Sequence, residues 1–210
     1  MLKLLLSLAS LLFLMPFSTA HGSSKVYQIN SQNTVVVNTE INERAYFNFS
    51  QALHDIKRKN VLLYIDSLGG SVLAGAQMIH LAQSMKQAKR LTYTCLIQNA
   101  ASMAFAIVQS ICDYRVVAPT SVLMQHQIAF GTGGQIERIN SLVRMVKDLE
   151  RYFNQVQAKR LGMTEKAFRT RITNDWYLVG ADAIKYKAAD TTGFWLCSES
   201  KSCPLLKSRF

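Results

Sequence analysis

The chain has 210 residues and a formal charge of +11, from 24 Lys and Arg against 13 Asp and Glu. The basic residues are spread over Lys57-Arg58-Lys59, Lys86 to Arg90, Arg138 to Arg151, Lys159-Arg160 and Arg169 to Arg171. That spacing fits solvated helix faces rather than one basic stripe, so no nucleic-acid partner is expected. The four cysteines, Cys95, Cys112, Cys197 and Cys203, show no CxxC or Cys/His ligand spacing, so no metal is expected.

The chain opens with Lys3, an almost wholly apolar run from Leu4 to Phe17, and the small residues Ser18-Thr19-Ala20. This order predicts a signal peptide over residues 1–20 and an exported, periplasmic protein. The run is about 14 residues, short of the roughly 18–20 that a membrane-crossing helix needs. No second such run follows, so residues 21–210 are expected to form one soluble domain. An even cysteine count in an exported chain points to disulfides. Cys197 and Cys203 would close a short loop, and Cys95 and Cys112 flank the segment around Ser102, but all three connectivities remain open.

Val35 to Val37 reads as a buried strand, and Phe47 to Ile56 as an amphipathic helix with apolar residues at 47, 49, 52, 53 and 56. Val61 to Ile65 is a second strand, ending at the turn Asp66-Ser67-Leu68-Gly69-Gly70. A helix follows over Val72 to Met85, packed through Ala74, Gly75, Met78, Leu81 and Ala82. Leu91 to Ile97 is a strand, Gln98 to Ala101 a tight connection and Ser102 to Gln109 a short helix. Val116-Val117 and Val122 to Met124 are two further strands. After Gly131-Thr132-Gly133-Gly134 comes the longest helix, about Gln135 to Arg160, with apolar residues at 136, 139, 142, 143, 146, 149, 153 and 156. Gly162 suits its C-cap, Thr164 suits the next N-cap, and Ala181 to Ala188 is a last short helix. Alternating strands and helices imply an α/β domain with mainly parallel pairing, whose site lies where strands end and helices begin.

A serine hydroxyl is a weak nucleophile. It needs a base, a group that orients the base, and donors for the developing oxyanion. Ser102, at the mouth of a helix between small residues, suits the first role, although a serine there is more often a plain N-cap. His21, His54 and His80 have no matched carboxylate or cysteine spacing. The stretch Leu62 to Gly70 resembles the LYINSPGG segment of the Clp protease proteolytic subunit (ClpP) family, and Ala100-Ala101-Ser102-Met103 resembles its AASMG nucleophile segment. Val122 to Gln127 is similar to its VMIHQP segment, and Asp175 to Tyr186 to its DRFLSAPEAVEYG segment. The four motifs occur in the family's order between about Val35 and Thr192. Leu68, Ala104, Ile128 and Lys187 depart from the usual Pro, Gly, Pro and Gly.

The resemblance implies a ClpP/crotonase-like fold of repeated β-β-α units with a long handle helix over 135–160. It implies a serine endopeptidase with Ser102 as nucleophile, His126 as base and Asp175 as the group orienting it. Gly69 and Met103 would donate backbone N–H groups to the oxyanion, while Gly70, Gly131 and Gly133 would flank an extended substrate. No cofactor is implied. A homo-oligomeric ring is expected, acting on peptides or unfolded proteins. Because ATP is scarce outside the cytosol, no ATP-driven unfoldase is expected. A catalytically inactive scaffold or binding ring is the alternative.

Overall fold

The computed structural model describes residues 25–198 and 203–207. The segment read as a signal peptide lies outside them. The elements run β1 (Lys25–Ile29), β2 (Thr34–Val37), α1 (Glu43–Asp55), β3 (Asn60–Ser67), α2 (Val72–Lys89), β4 (Thr92–Ala101), α3 (Met103–Ile111) and β5 (Tyr114–Gln125). They continue with α4 (Ile136–Leu161), α5 (Glu165–Arg171), β6 (Trp176–Val179), α6 (Ala181–Lys185), β7 (Thr191–Cys197) and α7 (Pro204–Lys207). The strands form one sheet in the order β1-β7-β5-β4-β3-β2, all parallel, and β6 joins the C-terminal half of β5 antiparallel. The expected α/β architecture with a mainly parallel sheet is therefore present.

Side chains alternate across a strand, and β3 shows the consequence. Val61, Leu63 and Ile65 face the helices in the main core, while Leu62 and Tyr64 pack on the opposite face beside Tyr27, Ile29, Leu96 and Val116. Helix starts follow their caps: Asn42, Ser71 and Thr164 each accept a hydrogen bond from the backbone N–H three residues on, at 3.0, 3.3 and 3.1 Å. The Asn42 cap starts α1 four residues before the first apolar position of the expected helix.

Two expected breaks are not breaks. The expected connection over Gln98 to Ala101 is strand, because β4 keeps pairing with β5 up to Ala101 opposite Met124. The two short strands expected at 116–117 and 122–124 are one strand, β5. Its partner register jumps from Ile97–Val117 to Asn99–Val122, so the extra residues around Pro119 form a bulge. Ser121 holds this bulge together: its hydroxyl accepts from Ala118 N at 2.8 Å and donates to the Ile97 carbonyl.

Helix α4 matches the long helix expected over 135–160, and Gly162 caps it at φ +70°. The apolar stripe of α4 packs only in part. Phe153, Ala158 and Leu161 are buried, whereas Ile136, Met145 and Tyr152 lie on exposed surface.

Candidate active site

Three strand termini meet at one end of the sheet. The last residue of β4, Ala101, pairs with Met124 of β5, and the Ser102 N–H extends that ladder to the Met124 carbonyl at 2.9 Å. Strand β5 runs on to Gln125 and delivers His126. On its other side β6 pairs antiparallel, with Gln125 opposite Trp176. The ladder ends there, so His126 and Asp175 are the first residues beyond it on the two strands. Trp176 fixes this start of β6 through edge contacts with Phe168 and Tyr186, with Arg171 stacked over both its ring and that of Tyr186.

Ser102 turns the chain from β4 into α3 with φ +53° and ψ −120°, in the N-cap position. Unlike Ser71 and Thr164, its hydroxyl makes no capping bond. It instead lines a cavity of about 70 Å³ together with His126 and Met103. Both Ser102 and His126 are half-buried, and neither the hydroxyl nor the imidazole is hydrogen-bonded among the described residues. Asp175 is exposed, and its carboxylate accepts from the Tyr177 hydroxyl at a long 3.4 Å. The structure thus brings Ser102 and His126 to one cavity, while Asp175, the residue just before β6, does not line it.

The glycine turn abuts the serine. A Cβ at Gly69 would fall 2.8 Å from Ser102 Cβ and 2.9 Å from Met103 N, and at Gly70 2.3 Å from the Ile41 carbonyl. Positive φ at both, +96° and +142°, is a second reason for glycine. The Gly69 N–H donates to Ser67 Oγ at 3.2 Å, so it is not free for a ligand. Gly70 lines the cavity, and Met103, as the first residue of α3, has an N–H with no intrahelical acceptor. Gly131 and Gly133 lie in an exposed segment without strand pairing; Gly131 borders a second groove with Gly70, and Gly133 faces open space. Among the departures from the family motifs, Leu68 is 80 % exposed, Ala104 is buried in the core, and neither lines the Ser102 cavity. Lys187 takes the glycine-like turn directly, at φ +58°.

Four further polar residues of the cavity were not foreseen: Gln125, Glu150, Asn154 and Gln157. Gln125 is buried at the end of β5 and donates to the Gln157 amide, which in turn donates to the Phe153 carbonyl at 3.0 Å. Their signal in the sequence was faint but real: Asn154 and Gln157 lie on the same side of α4 as the buried Phe153, Ala158 and Leu161. Polar residues at core-facing helical positions mark either a network or a cavity.

Beneath the site, Cys95 of β4 is bonded to Cys112 at the end of α3, across a separation of 17 residues, and Cys197 to Cys203. The first pair encloses Ser102 and joins both elements that position it. No described helix is long and apolar enough to cross a membrane.

A family model described as Clp protease matches residues 19–192. The ATP-dependent Clp protease proteolytic subunit 1 of Borreliella burgdorferi is 28 % identical over 134 residues, covering 63 % of this chain and 68 % of that protein. The ATP-dependent Clp protease proteolytic subunit of Borreliella afzelii is 29 % identical over 133 residues, covering 63 % and 66 %. The chain spans about two thirds of the length of these curated relatives. A match over most of the chain, on a mainly parallel α/β sheet with the long helix in place, means that the protein belongs to the Clp protease family.

Proposed function

We propose that the protein is an exported serine endopeptidase that cuts peptides and unfolded chains without ATP. The observation that carries this reading is Ser102: a residue with a Cβ held at positive φ, at a helix start, whose hydroxyl makes no capping bond and which lines one cavity with His126. In this reading Ser102 Oγ attacks the scissile carbonyl. His126 takes the hydroxyl proton and returns it to the leaving amine, and Asp175 orients the imidazole. Catalytic hydrogen bonds in free enzymes are often long and tighten around substrate, so the unbonded His126 ring is compatible with this role. The Met103 and Gly70 N–H groups suit the oxyanion better than that of Gly69, which Ser67 occupies. The open segment from Ile128 to Gly133 gives an extended substrate backbone somewhere to pair.

Export rests on the pattern of residues 1–20, and the two cysteine pairs support an oxidising compartment. A homo-oligomeric ring is supported by the exposed apolar residues on the first half of α4. Residues 21–210 should degrade an unfolded casein without nucleotide and spare a stable folded protein. Ser102→Ala should abolish casein cleavage. Degradation of the folded protein only with ATP and an unfoldase would refute the ATP-independent reading.

A further inference from the structure

We infer that the cavity beside Ser102 selects a basic side chain, lysine or arginine, on the carbonyl side of the bond to be cut. This rests on the serine peptidase reading and adds its substrate class. The cavity lining is apolar at Val72, Ala106, Ile128, Ala129 and Phe153, and α4 adds the polar Glu150, Asn154 and Gln157 at positions i, i+4 and i+7. Asn154 is 5 % exposed, and its side-chain amide has no hydrogen-bond partner among the described residues. Gln157 is 2 % exposed and linked to Gln125. Glu150 is half-buried, its carboxylate accepts from Ile128 N at a long 3.4 Å, and it joins no ion pair among the described residues.

Each alternative occupant meets an obstacle. An apolar side chain would leave the Asn154 amide buried without a partner and gain nothing from the glutamine pair. An acidic one would meet the Glu150 charge. A neutral amide can pair with Asn154 and donate to the Glu150 carboxylate, but brings no charge to match it. A cation donates to both Asn154 Oδ1 and the Glu150 carboxylate, and its charge makes the second bond the stronger kind.

The test compares kcat/KM for aminocoumarin peptides identical except for Lys, Gln, Leu or Glu next to the dye, with fluorophosphonate labelling of the same samples. Lys should exceed Leu at least tenfold, and Glu150→Gln should lower that ratio about tenfold, as expected for losing a charged hydrogen bond. Glu150→Lys should turn the preference toward Glu. Each ratio is internal to one sample, so partial misfolding does not distort it. Labelled enzyme that prefers Leu, or that prefers Gln equally in wild type and Glu150→Gln, would overturn the inference and leave the peptidase reading intact. Neither labelling nor cleavage in folded wild type would overturn both.

Discussion

At Ser102 the backbone sits in a region that costs a residue with a Cβ about 1–3 kcal/mol, and the sheet holds it there. Its N–H is bound to the Met124 carbonyl at 2.9 Å, and its carbonyl accepts from Ala106 N at 3.1 Å. Gly70 carries the stricter demand. An alanine there must adopt φ +142° and place its Cβ 2.3 Å from the Ile41 carbonyl, with backbone on both sides of the contact. Gly70→Ala should therefore lower unfolding stability by about 3 kcal/mol, while Gly131→Ala, whose Cβ meets nothing within 4 Å, should change it by under about 0.5 kcal/mol. Denaturant titration of the two variants reads this directly; equal midpoints would show that the turn relaxes freely. Ser102, His126 and the glycine turn were legible in the sequence because each sits in a run of residues with a distinctive order. Glu150, Asn154 and Gln157 were not, since a polar residue on a long helix looks like solvent-facing surface until the neighbouring strand is placed against it.

Among the elements, the strand ends were harder to read than the helices. Caps and a 3.6-residue period mark a helix locally, whereas β1, β6 and β7 take their partners from distant segments. Trp176 to Val179 was read only as a motif, and its strand depends on the end of β5. The bulge at Pro119 was read as a gap between strands, because nothing local shows that Ser121 will bridge it. Elements distant in sequence are also tied by one charged cluster. Arg115 on β5 is buried, contacts the Gln109 amide of α3, and holds Asp190, just before β7, at 2.7 Å. Burial alone would raise the Asp190 pKa, but the hydrogen bonds and charge of Arg115 outweigh it and lower the carboxyl below its usual 3.8. A depressed folded pKa contributes stability that is present above the unfolded value and lost as pH falls through the folded one. Melting temperature should therefore fall below about pH 4 partly through Asp190. Asp190→Asn should cost about 3 kcal/mol at pH 7, because it leaves Arg115 buried without its counter-charge, and should flatten the acid limb. An unchanged acid limb would show that other carboxylates govern it.

At the scale of the whole molecule, the parallel sheet fixes the site by geometry alone. Three strand termini converge, and the Cys95–Cys112 bond ties the strand and helix on either side of Ser102. The class of fold and the long helix are legible in the sequence; how far that helix stands clear of the core is not, because the stripe from Ile139 to Leu149 reads as core-facing and is only half-buried. Peptidase activity in this protein requires that His126 activate Ser102. Labelling of residues 21–210 with a fluorophosphonate tests it most directly. Wild type should label stoichiometrically, and the label should disappear in Ser102→Ala and in His126→Ala. A folded wild type that stays unlabelled, or label that persists in Ser102→Ala, would contradict it.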